Sequence, residues 1–592
     1  MRRDRSAAAF PVACAFSRQL RFTPIRSPVR AARFATNPPA KGTLIRALLL
    51  AIALASCLAS PSARAGATFD DSPHLATIPD FGACDVTVTP ANAYTTLAQV
   101  NDPTKRVFCV QPGNYRAYGL IQLRRSGTES QPRFLRFHAA DGVRNAAQRP
   151  ERATFEWIHV QASWWVIQGL TIQPKHPATT WLLAVINGDH NILDGNLVDG
   201  IDHRPESVQH GIVIDGYGGD PATHNVVQRN LVLNGNLGRL DIDYQGIYVR
   251  PGHHAGADND FNRIVDNEVA DWGDAVAVDG YDPGCGELGV QHGTVVDGND
   301  LYITPAKYVD CDTAAPNPDG DCACAENGID LKTDPGANPE AWTRITNNRL
   351  WGFRPTPDVP CGGSGATGQA ITSGSMCPGH ILVANNVISE SNIGIVPAGN
   401  RWIIAGNLLH DIRAVEGWRY GSAAILTTQW ASDLDIQFNT IVSVDSAYDD
   451  RSFDTDTRCN AVVDNIQWMG IGLPRGANHS TERNFHYQSS TVNWDGATNE
   501  VFSDAAESNA ETYCYWRKRW STPEQVCVPR AATTDASPHR AAVAECEQNV
   551  AAALGVPVVG FTAAPEADGA ALGVAALLAL GRLARRTDSI RR

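Results

Sequence analysis

Four charged residues end four copies of one short strand, and their side chains could bind an anion or move a proton. The copies span 211–215, 246–250, 275–279 and 328–332, and their last residues are Asp215, Arg250, Asp279 and Lys332. Parallel strands in register lie about 4.8 Å apart, so stacked copies would bring the four side chains within about 15 Å of one another. A guanidinium can grip a carboxylate with two hydrogen bonds, and a Lys crowded by other cations can act as a base once its pKa is lowered.

Further polar side chains adjoin this column. Asp330 and Glu326 share the outer face of the strand that carries Lys332. Carboxylate oxygens suit calcium, and the candidate ligands are Asp215, Asp279, Glu326 and Asp330. Aromatic and imidazole side chains that could contact a substrate lie in or just after the copies; they are Tyr217, Tyr248, His253, His254 and Tyr281. The alternative is a solvated ladder of opposite charges that stabilises stacked coils modestly.

A second repeat indicates what positions these strands. Short apolar segments around Asn and Gly recur through the middle of the chain, and the shared Asn positions are Asn196, Asn230, Asn267, Asn299, Asn348, Asn386, Asn407 and Asn439. Each copy reads as two very short strands with alternating apolar residues, bent where Asn or Gly tolerates a left-handed backbone conformation. With the charged strand between copies, every coil has three strands. This pattern predicts an all-β fold, a right-handed parallel β-helix, over residues 84–490. An irregular propeller, whose blades need longer antiparallel strands, is the rival fold.

The two ends of the chain differ from this body. Residues 1–65 place basic residues before a short apolar run and a small-residue cleavage pattern, which indicates a signal or targeting segment and export to the cell surface or beyond. Residues 557–592 join an apolar segment to an Arg cluster, like a sorting or membrane-anchor tail. Residues 491–556 are expected to form a loop-rich cap that contains Cys.

Charge and cysteine content narrow the class of protein. The formal net charge is −14; residues 1–65 hold eleven Lys and Arg and one Asp, so the remainder carries about −24. An acidic body argues against nucleic acid as a partner, because phosphate binding needs clustered positive charge. Twelve of the 14 Cys follow residue 65, which in an exported chain favours disulfides, with close pairs at Cys84–Cys109, Cys361–Cys377 and Cys514–Cys527. We expect a monomer.

Two N-terminal segments, 106–115 and 164–172, resemble the opening coils of pectate-lyase-like β-helix proteins, in particular the branch of alginate lyases and chondroitinase B. The strand from Glu326 to Lys332 is similar to that branch's strand of acidic residues followed by Lys. The resemblance implies a lyase that cleaves an acidic polysaccharide by β-elimination, with Lys332 as base, Arg250 as carboxylate binder or acid, and calcium bound by nearby carboxylates. The number of residues between the acidic residues and the Lys differs from that in the family. The Arg-His-Gly element of the family is also missing from this sequence.

Two other functions stay open. A glycoside hydrolase could use Asp215, Asp279 and Asp330, although the Gly-His-Gly and Arg-Ile-Lys elements of polygalacturonases are absent. A surface β-helix protein that binds carbohydrate without cleaving it would need no more than the charge ladder.

Overall fold

The chain winds into coils of three short strands, and the equivalent strands of successive coils form three parallel sheets. In the computed structural model the described residues are 74–138, 151–175, 182–200, 209–216, 221–235, 244–250, 259–279, 291–305, 308, 325–333, 341–354, 368–373, 378–414, 422–428, 431, 434–437, 439–442, 444, 448–450, 460–463, 466–468, 479–482, 485–487, 500–502, 512–519 and 522–529. All of them belong to one unit that spans 65–592.

Sheet A has 14 strands, each hydrogen-bonded to the strands of the coils before and after it. Its strands are β1 (Val86–Val88), β2 (Val107–Val110), β5 (Arg133–Phe137), β8 (Trp165–Gln168), β11 (Ile192–Asp194), β14 (Val226–Gln228), β17 (Arg263–Val265), β20 (Val295–Asp297), β23 (Thr343–Thr346), β26 (Gly379–Ala384), β29 (Asn400–Ala405), β32 (Asp435–Gln437), β35 (Asn460–Val463) and β37 (His479–Glu482).

In most coils sheet B follows sheet A after a bend of two residues, whereas a longer segment joins β5 to β6; sheet B also has 14 strands. Its strands are β3 (Gly113–Asn114), β6 (Ala153–Phe155), β9 (Thr171–Ile172), β12 (Leu197–Asp199), β15 (Leu231–Leu233), β18 (Glu268–Ala270), β21 (Asp300–Tyr302), β24 (Arg349–Trp351), β27 (Val387–Ser389), β30 (Leu408–His410), β33 (Thr440–Val442), β36 (Ile466–Trp468), β38 (Phe485–Tyr487) and β39 (Glu500–Phe502).

Sheet C closes each coil and has 11 strands. Its strands are β4 (Leu120–Leu123), β7 (Trp157–Val160), β10 (Leu182–Ile186), β13 (His210–Asp215), β16 (Gln245–Arg250), β19 (Asp274–Asp279), β22 (Asn327–Lys332), β25 (Gln369–Thr372), β28 (Ile393–Val396), β31 (Ala423–Thr427) and β34 (Tyr448–Asp450). The predicted right-handed parallel β-helix is confirmed.

Two smaller elements complete the described chain. One helical turn, α1 (Ala93–Leu97), continues into a 3₁₀ turn at Ala98–Asn101, and a second 3₁₀ turn spans Arg116–Tyr118. An antiparallel hairpin is formed by β40 (Thr512–Arg519) and β41 (Thr522–Pro529), in the region expected to be loop-rich. Sheet B also continues past residue 490, since β39 pairs with β38.

The core is a set of apolar columns that run along the helix axis. Ile212, Ile247, Val276 and Ile329 share one register on sheet C, and each is fully buried. Because side chains alternate between the two faces of a strand, burying these columns forces the residues between them outward.

The asparagine ladder is formed by Asn196, Asn230, Asn267, Asn299, Asn348, Asn386, Asn407 and Asn439, which lie inside the bend between sheets A and B. Each Nδ2 donates to the Oδ1 of the next Asn at 2.9–3.0 Å. The residue before the Asn adopts the left-handed conformation, as Arg229 (φ 54°) and Asp266 (φ 52°) do. In five other coils this left-handed residue is Gly or Asn, for example Gly195 and Asn347, as the predicted bend at Asn or Gly requires. The ladder Asn that follow it have a different role, because they satisfy buried backbone groups.

The N-terminal segment crosses the outer face of sheet A. Ile78 and Phe81 pack against a buried cluster that includes Phe134. Arg136 lies 3.5 Å above the Phe81 ring, and the predicted disulfide Cys84–Cys109 joins the segment to β2. The segment thereby covers apolar surface that the first coils would otherwise expose.

Several predictions concern residues that the structure does not describe. These are the targeting segment 1–65, the tail 557–592 and the pair Cys361–Cys377. Backbone pairing sets Cys514 opposite Cys527, which is the arrangement their predicted disulfide requires. Among the described residues, no helix has the length and apolar composition needed to span a membrane.

Candidate functional site

The predicted column of charges exists on the outer face of sheet C. Asp215 pairs in register with Arg250, and Asp279 with Lys332, while Val249 pairs with Val278 in the strands between them. The four residues therefore occupy one position of β13, β16, β19 and β22. With strand spacings of about 4.8 Å, the column is about 15 Å long. We call these four residues the charged column.

Lys332 is held between two carboxylates. Its Nζ lies 2.5 Å from Asp330 Oδ2 and 3.7 Å from Asp279 Oδ1. Asp330 is almost fully buried, whereas about a third of the Lys332 side chain is exposed. Burial alone would lower the pKa of Lys332, but the charges of Asp330 and Asp279 outweigh it and raise that pKa above its usual value. The amine is thus held in its charged form, whereas the base role expects a lowered pKa.

Tyr248 joins the column from the neighbouring outward row. Its hydroxyl donates to Asp279 Oδ2 at 2.9 Å. Burial and then the Asp279 carboxylate raise the pKa of Tyr248, so the phenol keeps its proton. The bond fixes the Asp279 carboxylate, whose other oxygen faces Lys332.

A row of polar residues that the sequence reasoning missed lies at the start of the same strands. The row contains His210, Gln245, Asp274, Asn327 and Gln369, which pair in register. Each precedes Gly or Ala, and a Cβ placed on Gly211 would point inward, 2.8 Å from Val232 Cγ1. Strict alternation would place this row in the core, because His210 lies two residues before the buried Ile212. Gly211 and Ile212 both point inward, however, so the alternation shifts by one residue and the row faces outward. A polar residue before a small one was the available signal.

His210 is the titratable member of this row. Burial, with a smaller effect of the Arg250 charge, lowers the pKa of His210 to about 4. Its ring lies 5.3 Å from the Tyr248 ring, and its buried Nδ1 has no hydrogen-bond partner. The imidazole is therefore neutral near pH 7.

Side-chain amides fix the strand ends that carry the column. Asn187 donates to the carbonyl of Asp215 at 2.5 Å, Asn259 to that of Arg250, and Gln291 to that of Asp279 at 2.5 Å. Asn259 and Gln291 are fully buried. These bonds hold the backbone from which the charged side chains project.

The four predicted calcium ligands do not form one group. Asp215 and Asp279 are two strand spacings apart, about 10 Å. Glu326 precedes β22 while Lys332 ends it, about 20 Å along the strand. The described residues contain no group of three His, Cys, Asp or Glu side chains suited to a metal ion. This donor set does not fit calcium as one site.

The remaining predicted contact residues, Tyr217, His253, His254 and Tyr281, lie outside the described part of the chain. Of the predicted site residues that the structure describes, Arg250, Tyr248, Asp279, Asp330 and Lys332 lie on neighbouring positions of one face. Asp215 extends the column by one coil, and Glu326 lies outside the column, before the opposite end of β22.

No protein-family model and no curated protein sequence matches this chain significantly. Solved structures that are similar include a mannuronic acid specific polysaccharide family 6 lyase from human gut microbiota (11% identity, TM-score 0.45, covering 71% of this chain and 91% of that one). The PL6 family alginate lyase AlyGC is 12% identical (TM-score 0.46, 74% and 55%), and pectate lyase Pel9A is 12% identical (TM-score 0.32, 72% and 84%).

Three all-parallel sheets, joined coil by coil in one register, give the class to which this chain belongs. It is a right-handed parallel β-helix protein.

Proposed function

We propose that the outer face of sheet C binds a polysaccharide of uronic acids and cleaves it by β-elimination. The observation that carries the proposal is the charged column itself. Arg250 and Lys332 stand on either side of Asp279, and all three occupy one register position. In an acidic chain, the Arg250 guanidinium and the Lys332 amine on this face provide the cations that a sugar carboxylate needs.

The proposed reaction has three parts. Arg250 grips the carboxylate of the uronate, which makes the neighbouring C5–H more acidic. Lys332 takes the C5 proton, the electron pair forms the C4–C5 double bond, and the C4–O bond to the leaving sugar breaks. A water donates the proton that the leaving oxygen needs. Tyr248 positions Asp279 between the two cations and does not itself react.

The protonation of Lys332 sets the expected pH dependence. A base must be neutral before it accepts a proton, and Asp330 and Asp279 hold Lys332 charged. As pH rises toward the raised pKa, the neutral fraction grows about tenfold per pH unit. We therefore expect kcat/KM to increase steadily between pH 7 and pH 9.

The paired state of Lys332 also favours a second candidate function, which is binding without cleavage. A permanently charged amine and the Arg250 guanidinium would suffice to hold uronate carboxylates. The two functions predict the same ligand and differ in whether an unsaturated product forms.

Incubation of the full chain with alginate, pectate and chondroitin tests the choice. A lyase produces the ultraviolet absorbance of an unsaturated uronide. New reducing ends without that absorbance indicate a hydrolase, and neither signal, together with retained polymer, indicates binding alone. Parallel reactions with EDTA or added calcium test the calcium prediction. The proposed steps use no calcium, because the predicted carboxylate ligands do not lie close enough together to form one site.

Lys332→Arg is the sharpest variant. It keeps a cation beside Asp330 and Asp279, so the fold is retained, but a guanidinium does not deprotonate in proteins. We expect cleavage to fall by roughly 10² to 10⁴-fold, the usual contribution of a general base. Activity above a tenth of the original would reject Lys332 as the base.

The proposal includes the setting expected from the sequence. Uronic acid polymers lie outside the cytoplasm, so the chain would act after export, as a monomer and with its C-terminal tail as an anchor. Membrane fractionation and sedimentation of the full chain test these three statements.

A further inference from the structure

A column of aromatic rings lies at the start of the sheet A strands, away from the face of sheet C. Trp164, His190, His224 and Phe261 stack with ring centroids 4.3, 4.8 and 5.1 Å apart. All four adopt the left-handed conformation, with φ between 55° and 64°. The same backbone hydrogen bond, from each of these residues to the next coil, shows that they are equivalent positions. His224 and Phe261 are exposed to solvent.

Gly293 interrupts this column. It follows Phe261 at the equivalent position, with φ 65°, and the next member is Trp342, which contacts the ring of His380. A Cβ at Gly293 would lie 2.4 Å from the Phe261 ring. Within the described residues, rings therefore stand before and after a position that has no side chain.

An open groove of about 290 Å³ lies at this interruption. It is lined by the rings of His224 and Phe261, by the arginines Arg263 and Arg344, and by His74, Gly293 and Val295. The two arginines share one register position, with Val295 between them, so their Cα atoms are about 10 Å apart.

The charge of the groove differs from that of the chain as a whole. Two guanidinium groups line the groove, although the chain carries a net charge of −14. Burial lowers the pKa of the neighbouring His74, so its imidazole is neutral near pH 7 and offers a hydrogen bond rather than a charge. Arg263 Nη1 donates to the His74 carbonyl, which ties the N-terminal segment to the groove. The carboxylates nearby are Asp297, which accepts from Thr346 and Asn347, and Asp260, which is paired with His292.

We propose that this groove is a second binding site for an anionic sugar unit, a uronate within a polysaccharide. Guanidinium groups match a carboxylate in geometry and charge. An exposed aromatic ring offers apolar area to the C–H groups of a sugar ring. The groove continues the ring column along the helix axis, so a linear polymer can pass several coils, which a small anion would not need. The choice of a uronate rests on the proposed function, but the site itself requires no cleavage.

Calorimetric titration of the full-length Lys332→Arg protein tests the site without turnover. The probes are tetragalacturonate and tetramannuronate, with cellotetraose as the neutral control. We expect the variant Arg263→Gln/Arg344→Gln to weaken binding at one site at least tenfold, while its circular dichroism spectrum stays that of the folded parent. Arg152→Ala, at an exposed arginine that precedes β6 on sheet B, is the matched control and should bind normally.

Two further variants separate the outcomes. Phe261→Ala, at a ring that is 40% exposed, should weaken sugar binding about tenfold; unchanged binding would mean that the groove holds a bare anion and would overturn the sugar assignment. Arg250→Gln should remove sheet C binding alone. If it removes all binding, the groove proposal is overturned. If binding persists while the parent chain cleaves no uronide, the proposed lyase function fails and the groove stands.

Discussion

The asparagine ladder and the charged column are both polar ladders on stacked coils, yet they differ in extent and chemistry. The ladder repeats one residue type over eight coils, and its members are at most 1% exposed. The charged column spans four coils, changes residue type at every step and faces outward. A polar group that recurs from coil to coil inside the fold satisfies buried backbone groups. Charged groups confined to a few coils are not needed by the scaffold, and we propose that these four bind a ligand.

The largest effect is expected from breaking the ladder at Asn267. In Asn267→Leu the backbone N–H and Nδ2 of Asn230 and the carbonyl of Val227 lose their buried partners. Each such group costs roughly 1–3 kcal/mol, so we expect a loss of about 4 kcal/mol in the free energy of unfolding, measured by urea denaturation. Asn101→Leu, at an exposed position, is the control. A loss below 1 kcal/mol at Asn267 would show that the ladder is not structural.

Acid should lower the stability of the fold through two histidines, one beside the charged column and one away from it. Burial lowers the pKa of His210, beside the charged column, and of His410, on sheet B, to about 4 in each case. Between an unfolded pKa of about 6.5 and the folded value, the unfolded chain binds more protons. The free energy of unfolding therefore falls as pH drops from 6.5 to 4, by up to about 3 kcal/mol per histidine.

Single variants separate the two histidines. His410→Gln should flatten the dependence of stability on pH and leave the pH profile of uronide cleavage unchanged. His210→Gln should change both. Identical cleavage profiles in the two variants would remove His210 from the site.

A smaller effect is expected at Tyr248. In Tyr248→Phe the Asp279 carboxylate loses its 2.9 Å hydrogen bond, while the ring keeps its packing. We expect kcat/KM to fall about tenfold, equivalent to about 1.4 kcal/mol, with a much smaller change in melting temperature. If stability falls and catalysis does not, the bond belongs to the scaffold.

The smallest effect is expected for a charge outside both regions. Arg413 is half exposed and pairs with Asp411 at 3.0 Å. Arg413→Ala should change the free energy of unfolding by less than about 0.5 kcal/mol and leave cleavage unaltered, because exposed ion pairs contribute little. A large loss of cleavage here would show that charge effects are not confined to sheet C.

The register of the charged column could be predicted because apolar residues mark the inward positions of each copy. Ile212, Ile247, Val276 and Ile329 are buried as expected, which places Asp215, Arg250, Asp279 and Lys332 in one outward column. The polar row that begins with His210 could not be placed by alternation, because Gly211 adds a second inward position. The left-handed Asn or Gly expected at the bends is present at positions such as Gly195 and Asn347, but it is the residue before the repeated Asn, whose hydrogen-bonding role the sequence pattern did not reveal.

By itself, the sequence determined the fold and the list of candidate charged residues. Both follow from the alternation of apolar and polar residues within each strand and from the repeat of the strands along the chain. The tertiary structure decided which charges meet. The pairing of Lys332 with Asp330 and Asp279, the separation of Glu326 from the column and the meeting of Arg263 with Arg344 depend on contacts between coils. Electrostatic effects follow distance in space and burial, which the spacing of residues along a chain does not specify.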